Sequence, residues 1–160
     1  MFLRRLYLAN AAFLIAHEID SAYWHEWNLF GLGGGIGAFV LLHVPLAAAV
    51  LWGYGALRAG VRSGLWMSIF LAAAGLSAGA IHTAFLLSDR AEFRTPVSIA
   101  VITATTLLSL VQLWAAARAL RRGQAAGADL DLRHQQARPG GNVPGRGALL
   151  RHPGGGPALF

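Results

Sequence analysis

Residues 6–24 read LYLANAAFLIAHEIDSAYW, an apolar run that ends in a cluster of titratable side chains. The first eleven residues of this stretch are almost entirely apolar, and they lead directly into His17, Glu18 and Asp20. A helix needs about 20 mostly apolar residues to cross the hydrocarbon core of a bilayer. The stretch therefore predicts a membrane helix with ionisable groups near one end.

The composition of the whole chain indicates the same class of protein. Hydrophobic residues make up 56% of its 160 residues and charged residues 12%, with a mean hydropathy of +0.51. An average soluble domain is roughly 25% charged. There is no cysteine, which excludes disulfides, thiolate metal sites and cysteine nucleophiles. The net charge of +6 comes from arginines in loops and tail, so it indicates membrane topology and not a nucleic-acid partner.

Four segments are long and apolar enough to predict membrane-spanning helices. They are residues 6–24, 34–57, 65–88 and 96–117. Short polar connections join them, and Pro96 suits the first turn of a helix. We therefore predict an all-α, four-helix transmembrane bundle over residues 1–122.

The distribution of arginine predicts how the bundle is oriented. Arginines precede the first segment, lie between the second and third, and follow the fourth: Arg4, Arg5, Arg58, Arg62, Arg118, Arg121 and Arg122. By the positive-inside rule both termini are cytoplasmic, as in a multi-pass protein of the cell inner membrane. The "HEID" that follows the first apolar run lacks a small-residue cleavage site, so we expect no cleaved signal peptide.

Residues 123–160 differ in composition from the rest of the chain. They are rich in glycine, proline and arginine and have no apolar period. Such a composition is typical of disorder, so this part is predicted to be a disordered cytoplasmic tail.

Three histidines on three predicted helices fall at one depth. In the predicted topology His17 lies near the outer end of the first helix. His82 precedes Ser88 by six residues, which places it about 9 Å inside the outer boundary. His43 follows Gly34 by nine residues and lies about 13 Å inside. The three imidazoles are therefore expected in one layer of the outer leaflet, with His25 and Glu26 at its mouth.

Helical periodicity predicts which side chains share a face with these histidines. The polar or small faces are Asn10, His17, Asp20, Ser21 and Trp24 on the first helix, Gly75, Ala78, Gly79, His82 and Asp89 on the third, and Ser98, Thr105, Ser109 and Gln112 on the fourth. The second helix offers only His43. A carboxylate facing lipid at the bilayer centre costs roughly 2.5–3.5 kcal/mol and less near the interface, so Glu18 and Asp20 are expected to face inward.

This cluster predicts a divalent-metal site, because imidazole and carboxylate are ligands of zinc and iron. The predicted ligands are His17, Asp20, His43 and His82. Glu18 or His25 would act as general base or proton shuttle. A membrane-embedded centre of this kind would act on a membrane lipid or another apolar molecule, as a hydrolase or isomerase or by oxidation.

Three other interpretations stay open. The histidines could be packing residues that hydrogen-bond across the bundle. Two of the three could ligate haem between facing helices, although this leaves the acids unexplained. The chain could also be non-enzymatic: a proton relay, a transporter subunit or a partner-binding protein. Self-association into a homo-oligomer is not fixed by the sequence.

The stretch AHEIDSAYWHEWNLF (16–30) resembles an uncharacterised family, a domain of unknown function, of small bacterial four-helix membrane proteins. Its motif is His-Glu-x-Asp, followed by His-Glu-Trp and an aromatic residue. The matching positions are His17, Glu18, Asp20, His25, Glu26, Trp27 and Phe30. The resemblance implies a membrane protein and marks the cluster, and it implies no particular reaction.

Overall fold

The structure, a computed structural model, describes residues 1–88 and 93–136, and every regular element in these ranges is helical. The long helices are α1 (Phe2–Tyr23), α2 (Gly35–Ala59), α3 (Arg62–Leu87) and α4 (Pro96–Gln136). A short 3-10 helix, Glu26–Asn28, lies between α1 and α2. The prediction of an all-α protein with four helices is confirmed.

Three of the described helices are long and apolar enough to cross a membrane. They are α2, α3 and the part of α4 that spans Pro96–Gln124. The first helix is not among them, because Asn10, His17, Glu18 and Asp20 lower its hydropathy. Its passage through the bilayer stays a prediction.

The chain divides into two compact units, Met1–Ala126 and Gly127–Phe160. The described part of the second unit is the end of α4. This helix extends well beyond the apolar segment 96–117, because alanine, leucine, arginine and glutamine, which favour helices, continue through residue 136. Residues 137–160, which hold most of the predicted tail, lie outside the described residues, as do residues 89–92 with the predicted face residue Asp89.

The turn between α2 and α3 needs a glycine. Gly60 adopts a left-handed conformation, with φ of 74°. The Val61 N–H donates to the Ala56 carbonyl at 3.2 Å and the Gly60 N–H to Leu57 at 3.3 Å. These bonds form the helix-ending motif that favours glycine at this position. The turn brings α3 back against α2.

The start of α4 follows the sequence prediction. Thr95 precedes the helix, and its Oγ1 accepts the Ser98 N–H at 3.1 Å. This is an N-cap hydrogen bond, and Pro96 takes the first helical position, where its missing N–H costs nothing.

The predicted polar faces lie inside the bundle and hydrogen-bond to each other. Asn10 Nδ2 donates to Ser109 Oγ at 3.0 Å and to Gln112 Oε1 at 2.9 Å. Gln112 Nε2 donates to the Ser68 carbonyl at 3.0 Å and to its Oγ at 3.1 Å. All four side chains are fully buried. The network therefore joins α1, α3 and α4 at the centre of the protein.

The outside of the same helices is apolar. Large hydrophobic side chains are exposed on every long helix, and none of the membrane-span window of α2 is buried within the chain. Leu41 and Leu51 are 74% and 73% exposed. Polar groups inside and apolar groups outside are the arrangement that a lipid environment requires.

Glycines on α3 let α4 approach closely. A Cβ at Gly75 would collide with Ser109 Oγ and would lie 3.1 Å from Thr105 Cγ2, and a Cβ at Gly79 would collide with Thr106 Oγ1. The predicted small-residue spacing therefore forms the contact between these two helices.

We expect Gly75→Val to destabilise the bundle by about 1–3 kcal/mol, because a buried helix contact cannot admit the larger side chain without displacing α4. Thermal unfolding of the detergent-purified protein measures this loss. Ala73→Val is the matched control, since Ala73 lies two residues away on the exposed side of α3. Equal melting temperatures for the two variants would contradict the assigned contact.

Candidate metal centre

Three potential metal ligands from three elements meet inside the bundle: His17 of α1, Glu26 of the 3-10 helix and His82 of α3. One ligand atom of each lies within 4.8 Å of the other two. The residues are 4%, 9% and 2% exposed. The two imidazoles meet edge to face with ring centroids 4.6 Å apart, and His82 Nε2 lies 3.5 Å from Glu26 Oε1.

A backbone reversal after α1 positions Glu26. The helix ends with the Trp24 N–H donating to the Asp20 carbonyl at 3.0 Å. His25 then adopts a left-handed conformation, with φ of 53°, which is uncommon for a residue with a side chain. The 3-10 helix begins immediately afterwards and is buried at Glu26 and Trp27. The reversal thus turns Glu26 inward and leaves His25 exposed.

Two polar atoms of this site have no hydrogen-bond partner among the described residues. They are Ser21 Oγ and His82 Nε2, both buried. Ser21 lies one helical turn after His17, on the same face of α1. A buried polar group without a partner costs about 1–3 kcal/mol, and a bound water or ion would satisfy these two atoms.

The surroundings of Glu26 favour its ionised form. Burial raises the pKa of its carboxyl, but the nearby His82 imidazole and Ser21 hydroxyl, although too far away for a short hydrogen bond, and the charges of His82 and His17 lower it by more in sum. The pKa therefore lies below its ordinary value. An ionised carboxylate is the form that binds a metal.

Aromatic rings surround the ligands. The Phe93 ring lies 4.3 Å from that of His82 and stacks on Phe85 at 5.7 Å. Phe93 is only 2% exposed. On the neighbouring side Trp27 packs against Phe39 at 5.4 Å. The rings of Phe85 and Phe93 therefore limit the access of water to His82.

The structure places Glu18 and His43 in a separate pair on the α2 side of α1. His43 Nε2 lies 2.7 Å from Glu18 Oε2, and His43 Nδ1 lies 2.6 Å from the Phe39 carbonyl oxygen. Glu18 follows His17 directly, so the pair lies at the level of the metal centre. All three histidines therefore share one level of the bundle, as their sequence spacing predicts.

The other two predicted site residues also lie apart from the three-ligand group. Asp20 Oδ1 accepts a hydrogen bond from Ser98 Oγ at 3.0 Å, which joins α1 to the start of α4. His25 is exposed, with its ring against Trp27 at 5.1 Å. Of the four predicted ligands, the structure brings His17 and His82 together. It adds Glu26, which the sequence places only at the mouth of the pocket.

The contact between the two imidazoles bears on the haem interpretation. Haem with two axial histidines needs the porphyrin plane between the rings. The rings of His17 and His82 touch at 4.6 Å, which leaves no space for a macrocycle. This geometry favours a small ion over haem at these two residues.

The fold and the site together define an all-helical protein with three helices long and apolar enough to span a membrane and a buried cluster of two histidines and a glutamate. The chain belongs to DUF6713, a family of unknown function, whose family model matches residues 3–119. The predicted membership of an uncharacterised family is thereby confirmed. Comparisons with curated proteins and with solved structures find no match. The matched region includes His17, Glu26 and His82.

Proposed function

We propose that this chain is an integral membrane protein that binds a divalent metal ion, zinc or iron, at His17, Glu26 and His82. The observation that carries the proposal is the convergence of three ligand atoms from separate elements in a buried site. The unpartnered Nε2 of His82 supports it, because a metal ion would satisfy that atom.

The distances suit an ion of this size. Zinc binds nitrogen and oxygen at about 2.0–2.2 Å, so tetrahedral ligand atoms lie about 3.4 Å apart. The separation of 3.5 Å between His82 Nε2 and Glu26 Oε1 already matches this value. The remaining pairs lie within 4.8 Å and need to close by about 1.4 Å at most, which side-chain rotation supplies.

Two histidines and one glutamate leave a coordination position open. This donor set is one that catalytic zinc sites use, with water as the further ligand. The Ser21 hydroxyl lies on the same face of α1 as His17 and can hold a water beside the ion. A metal centre with an open position activates water, and the surrounding bilayer supplies apolar substrates. We therefore extend the proposal to a lipid-directed hydrolase.

Elemental analysis of the detergent-purified protein tests the metal site. We expect about one zinc or iron ion per chain, lost in His82→Ala and in Glu26→Gln because each removes one of three ligands. His43→Ala is the matched control, since this histidine lies outside the three-ligand group, and it should retain the ion.

Two results would overturn this assignment. One is a wild-type chain that takes up no metal after incubation with zinc or with ferrous iron. The other is loss of metal in His43→Ala with retention in His82→Ala, which would favour the ligand set predicted from the sequence. Circular dichroism of each variant distinguishes ligand loss from unfolding. Release of fatty acid from lipid esters by the metal-loaded protein, abolished in Glu26→Gln, tests the hydrolase.

We also propose that both termini lie in the cytoplasm and that the chain resides in the cell inner membrane. Arg4 and Arg5 at the start of α1, the arginines on either side of the α2–α3 turn, and those that follow the apolar segment 96–117 support this orientation. The 3-10 helix would then face the opposite side of the membrane.

Because the chain has no cysteine, single cysteines can report its topology. In intact bacterial cells we expect a membrane-impermeant maleimide to label Asn28→Cys, which is exposed at the end of the 3-10 helix. Val61→Cys, exposed in the α2–α3 turn, should be labelled only after lysis. The reverse pattern would show that the orientation is inverted.

A further inference from the structure

A long apolar groove lies between α1, α2 and α3, on the side of α1 that carries Glu18. Its volume is about 560 Å³. Every residue that lines it is apolar except Glu18 and His43. The groove thus places one polar pair within an otherwise hydrocarbon-like surface.

The groove extends on both sides of the polar pair. On α2 its lining runs from Ile36 to Leu51, a rise of about 22 Å, and the part from His43 to Leu51 can hold about 12 Å of a lipid chain. The hydrocarbon core of a bilayer is about 30 Å thick. Since α2 and α3 are both apolar enough to span this core, a molecule that fills the groove would come from the bilayer.

The polar pair in the groove carries no net charge. A carbonyl oxygen can only accept, so His43 Nδ1 donates its hydrogen to Phe39. The contact of 2.7 Å between His43 Nε2 and Glu18 Oε2 then holds one further proton. Whether this proton lies on nitrogen or on oxygen, the charges of the two side chains sum to zero.

This pair selects the polar group that a ligand can present. Among the described residues no hydrogen bond is made to the second carboxylate oxygen of Glu18, which is therefore available as an acceptor. No arginine lines the groove, and both ring nitrogens of His43 already have partners, so a phosphate or carboxylate head would find no free cationic group. A hydroxyl can donate to Glu18 and introduces no charge into an apolar site.

We propose that the groove binds a neutral long-chain lipid alcohol, with its hydroxyl at Glu18 and His43 and its chain along the apolar walls of α1, α2 and α3. The binding does not depend on a metal ion at His17, Glu26 and His82. The two proposals can therefore fail separately.

Native mass spectrometry of the delipidated protein tests this binding with three probes: oleyl alcohol, oleic acid and oleylamine. We expect one molecule of oleyl alcohol to bind per chain. Each ionised probe should bind at least about tenfold more weakly, because a charged head in the groove lacks a compensating partner. Tighter binding of oleic acid or oleylamine than of oleyl alcohol would overturn the assignment of the head group.

A pair of neighbouring variants tests the location. Ala47 lines the groove, whereas the adjacent Ala48 is exposed and does not. Ala47→Trp should fill the groove and reduce the binding of oleyl alcohol about tenfold, while Ala48→Trp should bind as the wild type does. Equal binding by both variants would place the lipid elsewhere. The metal content of both should match the wild type, which separates this test from that of the metal centre.

The double variant Glu18→Leu/His43→Leu tests the role of the polar pair. It keeps the groove apolar and removes both hydrogen-bonding groups. We expect it to bind oleyl alcohol about tenfold more weakly than the wild type, because the hydroxyl loses its hydrogen-bond partner. Unchanged binding of oleyl alcohol would show that the pair does not contact the head group.

Discussion

The hydrogen bonds from Asn10 to Gln112 and from Gln112 to Ser68 are the interaction on which the rest of the structure depends. In lipid the hydrophobic effect does not drive helices together, so buried polar contacts and close backbone packing hold a bundle. Here the side-chain amide of Asn10 on α1 donates to that of Gln112 on α4, which in turn donates to the Ser68 carbonyl on α3. The side chains of all three residues are fully buried. Rotation of any of the three helices about its axis would break these bonds. The network therefore fixes which face of each helix points inward.

The orientation of α1 then places two different sites on its two sides. His17 and Ser21 lie on the face of Asn10, so the network turns them inward toward His82. Glu18 lies about 100° further round the helix and faces α2 instead. Adjacent residues in the sequence thus contribute to the candidate metal centre and to the apolar groove. The two sites share one level of the bundle and have separate chemistry.

Periodicity predicted the inward faces because burial of polar groups depends on the local spacing along each helix. Asn10, Thr105, Ser109 and Gln112 are all fully buried, as that spacing requires. Periodicity could not reveal that His43 pairs with Glu18, because Glu18 lies on another helix and the face of His43 on α2 is otherwise apolar. It could not place Glu26 either. The inward turn of Glu26 depends on the left-handed backbone of His25, which residue type does not dictate.

The three buried or half-buried acids of the AHEIDSAYWHEW stretch each connect to a different helix. Glu18 pairs with His43 of α2 at 2.7 Å, and Asp20 accepts a hydrogen bond from Ser98 of α4 at 3.0 Å. Glu26 faces His82 of α3 at 3.5 Å, the longest of the three contacts and the only one whose partner atom stays unsatisfied among the described residues. Glu18 and Asp20 each form a short hydrogen bond with a side chain of another helix. Among the described residues His82 Nε2 forms no such bond with Glu26, and this difference distinguishes the three-ligand group from the contacts around it.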